Sequence, residues 1–205
     1  MKNIFITMEG PDGAGKSTQI ELLKKYFEGK DIEVVLTREP GGTRISEAVR
    51  AVILNKEYKE MDYKTELMLY TAARAQLVAE VIKPALLQGK AVICDRFVDS
   101  SAVYQGMGRG LGVEQVYKIN EYALDGLKPI LTILLDLDAT EGIRRKKNQA
   151  ELDRMEEESI DFHKKVVEGY RQLAELDKDR IYKIDATLPV EEIAKLIREE
   201  VDKRI

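Results

Sequence analysis

Gly10, Gly15, Lys16 and Ser17 stand at the spacing G-x-x-x-x-G-K-[ST], with Pro11, Asp12, Gly13 and Ala14 between them and Thr18 following. These residue types suit one task. Glycines let a backbone curl so that successive N–H groups converge on phosphate oxygens, and a helix opening there adds its positive end. Lys16 can bridge the β- and γ-phosphates, while the Ser17 hydroxyl can hold Mg²⁺. The run follows an apolar stretch and precedes an amphipathic one, which is the context a phosphate-binding loop needs. The motif implies nucleoside triphosphate binding without choosing among kinase, GTPase and ATPase. No N-K-x-D guanine-reading sequence is present, which disfavours a GTPase, and 205 residues are few for a motor or transporter ATPase. A small nucleotide or metabolite kinase is the leading class; a nucleotide-dependent switch is the other.

A kinase that joins phosphate to phosphate needs a second cationic pocket and no strong general base, because the acceptor oxygen is already anionic. Having a single histidine, His163, is therefore no obstacle. Arg38, in Thr37-Arg38-Glu39-Pro40-Gly41-Gly42, and Arg96, after Asp95, each follow an apolar run and can fork onto a phosphate. One such arginine alone reads as a surface or salt-bridge residue. Ala91-Val92-Ile93-Cys94-Asp95 reads as a strand ending in an acid that can meet Mg²⁺ directly or through water. Cys94 fits a small core residue. Tyr70 and Arg74, four apart, share a helix face. They suit either a base-stacking pair or a half-buried tyrosine beside a surface arginine, and the residues alone favour the latter.

The elements that must position these groups are legible as short apolar runs alternating with amphipathic segments. Strands are expected over residues 3–9, 33–38, 91–95, 129–136 and 181–185, rich in Ile, Val or Leu, as strands buried on both faces are. Ile20, Leu23 and Phe27 mark a helix after the first strand, and Val190, Ile193, Ala194, Ile197 and Val201 another near the C-terminus. A long helix over about 63–88 carries Leu67, Tyr70, Leu77, Val81 and Ala85 near one face, with Lys83-Pro84 expected to kink it or end it early. The fold class is α/β: one domain over 1–205, five parallel strands with helices on both faces, and function at the carboxyl ends of the strands. The net charge of −4, with 44% hydrophobic and 34% charged residues, argues against a general nucleic-acid binder. The single cysteine fits a reducing compartment. No signal-peptide pattern or spanning apolar stretch is seen, so a cytoplasmic protein with no membrane partner is expected.

Several stretches taken together closely resemble the bacterial thymidylate kinase family: Gly10 through Thr18, Thr37-Arg38-Glu39-Pro40-Gly41-Gly42-Thr43, Asp95-Arg96-Phe97 with Ser100-Ser101-Ala102-Val103-Tyr104-Gln105-Gly106, and Leu152-Asp153-Arg154. The likeness spans essentially the whole chain in order. It implies a P-loop nucleoside-monophosphate kinase that moves the γ-phosphoryl group of ATP to dTMP with Mg²⁺. Arg38 and Arg96 would then hold the dTMP phosphate, and Asp12 would lie near the 3′-hydroxyl and the transfer site. Tyr70 would stack on thymine, Arg74 would reach its O4 edge, and Ser101 and Gln105 would line the base pocket. Tyr104 would crowd the ribose 2′ position. Glu39, Pro40 and Arg50 would complete the acceptor wall, and Asp95 with Ser17 would face the metal.

Residues 144–156 resemble the family's lid, although a basic run followed by an acidic one also reads as a solvated helix surface. Some members carry an arginine where this chain has Gln149, so the lid cation is open among Arg145, Lys147 and Arg154, and Arg144 would stack on adenine. Asp185-Ala186-Thr187-Leu188-Pro189 resembles the adenine-side loop and equally suits a plain strand-to-helix connection. The resemblance implies a homodimer, although no exposed apolar face can be picked out of the sequence.

Overall fold

The computed structural model describes residues 3–147 and 152–205; Asn148, Gln149, Ala150 and Glu151, and the side chain of Lys147, lie outside this description. In chain order the elements are β1 (Phe5–Glu9), α1 (Lys16–Glu28), β2 (Val34–Arg38), α2 (Arg44–Leu54), α3 (Tyr63–Leu77), α4 (Lys83–Leu87), β3 (Ala91–Asp95), α5 (Val98–Ser101), α6 (Val113–Leu124), β4 (Leu131–Asp136), α7 (Ala139–Lys147), α8 (Ile160–Leu176), β5 (Ile181–Asp185) and α9 (Val190–Asp202). The five strands form one parallel sheet in the order β2-β3-β1-β4-β5. Strands expected over 3–9, 33–38 and 129–136 begin one or two residues later than read, and the other two match.

Strand alternation divides the core. Ile6 and Met8 of β1, with Ile93, Leu131, Ile133 and Leu135, pack against Ile20, Leu23 and Phe27 of α1 and Ile193, Ile197 and Val201 of α9. Phe5, Val92 and Cys94 face the other way, onto Leu77, Ile82, Ala85, Leu86 and Phe97, while Leu134 and Ile181 meet α8. The same alternation turns Thr7 and Glu9 of β1 to that second side. Thr7 Oγ1 lies 2.7 Å from Thr132 Oγ1, its register partner on β4. Val190 departs from the expected apolar stripe of α9: it is 48% exposed at the helix start.

Pro84 neither ends the long helix nor breaks it. A π-turn over Val78–Ile82 joins α3 to α4, and the Lys83 N–H donates to Val78 O, five residues back. The wider turn accommodates a residue that has no N–H to donate and a ring that crowds the preceding turn. A second π segment, Ala102–Gly108, continues from α5 and carries Tyr104 and Gln105. No helix among the described residues is long and apolar enough to cross a membrane.

Candidate functional site

The strand order puts the ends of β1, β2 and β3 side by side, and one cavity of about 350 Å³ opens over them. Both sets of candidate residues meet there. Asp12, Gly13, Gly15, Lys16, Ser17 and Thr18 form one wall; Arg38, Glu39, Pro40, Arg50, Tyr70, Arg74, Asp95, Arg96, Ser101, Tyr104 and Gln105 form the other. Gly10, Pro11 and Ala14 support the loop without lining the cavity.

The loop geometry depends on glycine at two positions in particular. At Gly10, φ is +134°, and a Cβ there would stand 2.4 Å from Leu135 O. At Gly15, φ is +89°, just where α1 begins. No side chain caps α1, and its first turn holds no acid, so the helix start is left to an external anion. The buried Lys16 ammonium donates to Gly10 O and Pro11 O, both at 3.0 Å. Burial lowers its pKa, as does Arg96, while Asp95, Asp12 and Glu9 oppose the fall.

Arg96 adopts φ +67°, which turns its side chain from the β3 end back toward the loop. Its guanidinium donates to Asp12 Oδ1 at 2.9 Å, Tyr170 OH at 3.1 Å and Ser100 Oγ at 3.3 Å, and lies 5.2 Å from the Tyr104 ring centroid. Burial alone would raise the Asp12 carboxyl; Arg96 and Lys16 override it and hold that group well below the usual range. Asp95 Oδ1 is buried with no hydrogen-bond partner among the described residues. A carboxyl oxygen left in that state in the same cavity as Ser17 suits a hard cation or its water.

Arg74 is neither a surface residue nor a freely reaching one. It is 1% exposed, and four of its five N–H groups are taken: by Glu39, which accepts from Nε at 2.8 Å and from Nη2 at 2.5 Å, by Asn120 at 2.5 Å and by Ser101 at 3.0 Å. Among the described residues, one Nη1 N–H remains without a partner. Arg38 sits at the rim, bonded to Glu47 at 2.9 Å and 3.0 Å, and Arg50 donates to Pro40 O at 2.8 Å.

The lid candidates separate. Arg144 is exposed and paired with Glu141, away from the cavity. Arg145 is bonded to Glu141 at 2.7 Å, with Gly13 O at 3.5 Å. Arg154 is directed into the protein, bonded to Ile53 O at 2.7 Å and paired with the fully buried Glu66 at 2.7 Å. Lys146, which the sequence reading passed over, lines the cavity and pairs with Glu156 at 3.0 Å. Its pKa is raised: burial opposes the rise, and Glu156 and Asp12 outweigh it. Residues Asp185, Thr187 and Pro189 do not line the cavity; Asp185 Oδ1 accepts from the Thr187 N–H at 2.8 Å and closes a local turn.

Glu9 was also missed. It ends β1, is 0% exposed, and accepts from Phe97 N at 2.7 Å, Ser100 Oγ at 2.5 Å and Tyr170 OH at 2.9 Å. Burial, then the nearby Asp99, pushes its carboxyl up to about 7 against Ser100, Arg96 and Tyr170. The available signal was an acid closing an apolar strand immediately before Gly10.

The family model for thymidylate kinase matches residues 8–197. The thymidylate kinase of Geobacillus thermodenitrificans is 51% identical over 195 residues, covering 94% of this chain and 87% of its own. That of Clostridium novyi is 50% identical over 194 residues, covering 94% of this chain and 95% of its own. The Bacillus cytotoxicus thymidylate kinase is 45% identical over the full length of both. The crystal structure of Ehrlichia chaffeensis thymidylate kinase superposes with a TM-score of 0.80 at 31% identity, covering 98% of this chain and all of that one.

Proposed function

The chain belongs to the thymidylate kinase family and phosphorylates dTMP to dTDP, and we propose that it does so with ATP held on Gly10–Thr18 and dTMP held along the ends of β2 and β3 and the face of α3. The single observation that carries this reading is the shared cavity, which holds Lys16 and Arg96 in one space, with Asp12 bonded to Arg96. Two anions brought there meet end to end with cations on both sides of the transferring group. Catalysis is then positioning and charge neutralisation, with no base required.

In this reading Lys16 leaves its two loop carbonyls for the β- and γ-phosphates. Arg96 and Arg38 grip the acceptor phosphate, and Asp12 takes the 3′-hydroxyl side. Tyr70 stacks on thymine, with Ser101, Gln105 and the remaining Arg74 N–H around the base. Tyr104, held against Phe162 and Tyr170, closes the space a 2′-hydroxyl would need. Glu39, Pro40 and Arg50 back the acceptor wall.

Ser17 and Asp95 would hold Mg²⁺, with phosphates and water supplying its other ligands; the described residues contain no cluster of three or more His, Cys, Asp or Glu that would cage a metal. The ion would neutralise charge on the phosphate oxygens. On the lid, Arg144 stays assigned to adenine and one of Arg145, Lys147 and Arg154 to phosphate contact, Arg154 only on leaving Glu66, with Lys146 as the cation already at the cavity.

A homodimer in the cytoplasm completes the proposal. Contrary to the sequence reading, an apolar face is present. Ile45 and Val52 of α2 and Met68 of α3 are 51%, 40% and 51% exposed around a groove that Ala48, Val49 and Leu69 complete. A second copy laid on this face would cover it.

The test is ADP release with ATP, Mg²⁺ and a panel of monophosphates. dTMP is expected to be the best acceptor. Faster turnover of UMP or AMP would overturn the acceptor assignment, and absence of ADP release with every monophosphate would overturn the kinase reading.

A further inference from the structure

The cation assigned to the acceptor phosphate is itself held by a group that touches neither nucleotide. We propose that Glu9 is a positioning residue for the dTMP phosphate, acting on Arg96 through Ser100 and Tyr170; this rests on the assignment of Arg96 as the phosphate grip.

Glu9 reaches Arg96 by two routes. The first is through the backbone. Glu9 Oε1 accepts the Phe97 N–H at 2.7 Å, and the Arg96 N–H donates to Met8 O at 2.9 Å. The peptide groups on both sides of Arg96 are therefore fixed to the end of β1, while Arg96 itself adopts a left-handed conformation that residues with a Cβ rarely choose. A side chain that must leave β3 and turn toward the phosphate loop needs that conformation, and Glu9 supplies one of the two bonds that hold it.

The second route is a matter of proton count. Ser100 and Tyr170 each carry one hydroxyl hydrogen. Glu9 Oε2 lies 2.5 Å from Ser100 Oγ and 2.9 Å from Tyr170 OH, and it can only accept when ionised. Both hydroxyl oxygens are then free to turn lone pairs to Arg96 Nη1, 3.3 Å and 3.1 Å away, which can only donate. The two hydroxyls lie 2.8 Å apart, so the cluster behaves as one unit. An amide in place of the carboxylate puts an N–H₂ at one of the two oxygen positions. At the Oε1 position it meets the Phe97 N–H donor to donor and breaks the backbone route; at the Oε2 position it turns both hydroxyl hydrogens away from residue 9, and the directions left to them include the guanidinium, where donor again meets donor. Arg96 then loses part of its seat while Asp12, on the opposite nitrogen, still pulls it toward the loop at 2.9 Å. Glu9 accordingly sets where along the cavity the guanidinium stands.

Charged and titratable groups face this carboxylate from every element packed on it: Arg96 and Cys94 from β3 and its end, Asp99 from α5, Tyr117 from α6, Tyr170 from α8, Tyr104 from the π segment, and Lys16 from the start of α1. The direct hydrogen-bond partners of the carboxylate are Ser100, Tyr170 and the Phe97 N–H, and each touches or adjoins Arg96.

A carboxylate needed only for the fold would weaken every ligand alike. One that positions Arg96 weakens the ligand that carries a phosphate. Calorimetric binding of dTMP and of thymidine to Glu9→Gln separates the two cases. The expected result is a loss of 10-fold or more in dTMP affinity with thymidine within 2-fold of the parent. In an Arg96→Ala background, Glu9→Gln is expected to add no further loss for dTMP, because the intermediary is gone. Equal losses for dTMP and thymidine, or full additivity with Arg96→Ala, would overturn the inference. Tyr170→Phe, which removes one relay hydroxyl and no charge, gives a second reading if Glu9→Gln does not fold; an unchanged dTMP-to-thymidine ratio there also overturns it. If Arg96→Ala itself binds dTMP as tightly as the parent, the acceptor assignment fails independently of Glu9.

Discussion

Glu39→Gln isolates a buried ion pair on which the acceptor wall depends. Arg74 and Glu39 have side chains only 1% and 4% exposed, and they share three hydrogen bonds. The amide keeps the size of Glu39 and removes its charge, so the Arg74 guanidinium is left buried and uncompensated. Breaking such a pair from one side costs about 3–5 kcal/mol. For a chain of this length 1 kcal/mol moves the melting temperature by roughly 2–4 °C, so the variant should melt on the order of 10 °C lower. Nucleotide-free thermal unfolding by circular dichroism measures this. The double variant Glu39→Met with Arg74→Leu supplies the contrast, since exchanging both partners for apolar groups is often neutral. It should recover most of the stability and still bind dTMP poorly, because Ser101 and Asn120 lose their common donor. A Glu39→Gln variant melting within 2 °C of the parent would refute the claim that Arg74 is held as a buried charge.

Three further outcomes are expected. Lys16→Ala should lower turnover by about 100- to 1000-fold with little change in melting temperature or dTMP affinity, because among the described residues its ammonium bonds only to Gly10 O and Pro11 O; steady-state kinetics beside calorimetry checks both halves. Met68→Glu should convert a particle of twice the chain's mass into a monomer in light scattering, and a parent already monomeric would remove the dimer proposal. Glu9, pushed up to about 7, binds its proton more tightly folded than unfolded. Stability is thus expected to fall as pH rises from about 4.5 to 7, by roughly 3 kcal/mol at 1.36 kcal/mol per pH unit; Glu9→Gln should lack that slope in denaturant titrations, and an identical slope would refute it.

The parts legible in the sequence are those whose signal is local. The phosphate loop is contiguous, and the strands read as short apolar runs because both faces of the sheet are covered. Arg38 and Arg96 were readable as residues at the end of a strand. What escaped was long-range or conflicted with a simple period. Glu9 and Tyr170 are 161 residues apart, and nothing local in either announces the other. Arg154 reads as a lid cation by its neighbourhood, yet Glu66 on α3 claims it. The π-turns at Val78–Ile82 and Ala102–Gly108 each spread one turn over more residues than a 3.6 period allows, so Pro84 looked like a terminator. Ile45, Val49 and Val52 were hidden because apolar residues at helical spacing look the same whether they face the core or another subunit.

The carboxylates around the cavity sort its cations by burial, and burial decides what each cation is free to do. Arg38 and Glu47 have side chains 52% and 40% exposed. A pair in that position is worth only about 0–1 kcal/mol, so an incoming phosphate can take Arg38 at little cost. Lys146 and Glu156, at 28% and 11%, stand between the extremes, as do Arg96 and Asp12, at 16% and 30%. These pairs face the cavity and hold their cations near the place where phosphate charge must be met. Arg74 with Glu39 and Arg109 with Glu66 are closed to solvent and too costly to open. Arg74 and Glu39 build the wall, Glu66 supports it from behind through Gln105, and the exchangeable pairs keep cations in position without the reorganisation that solvent-held charges would need. On that division Arg38 and Arg96, both read as cations at strand ends, keep the exposure that the proposed phosphate contact needs, whereas Arg74 and Arg109 are committed to the protein.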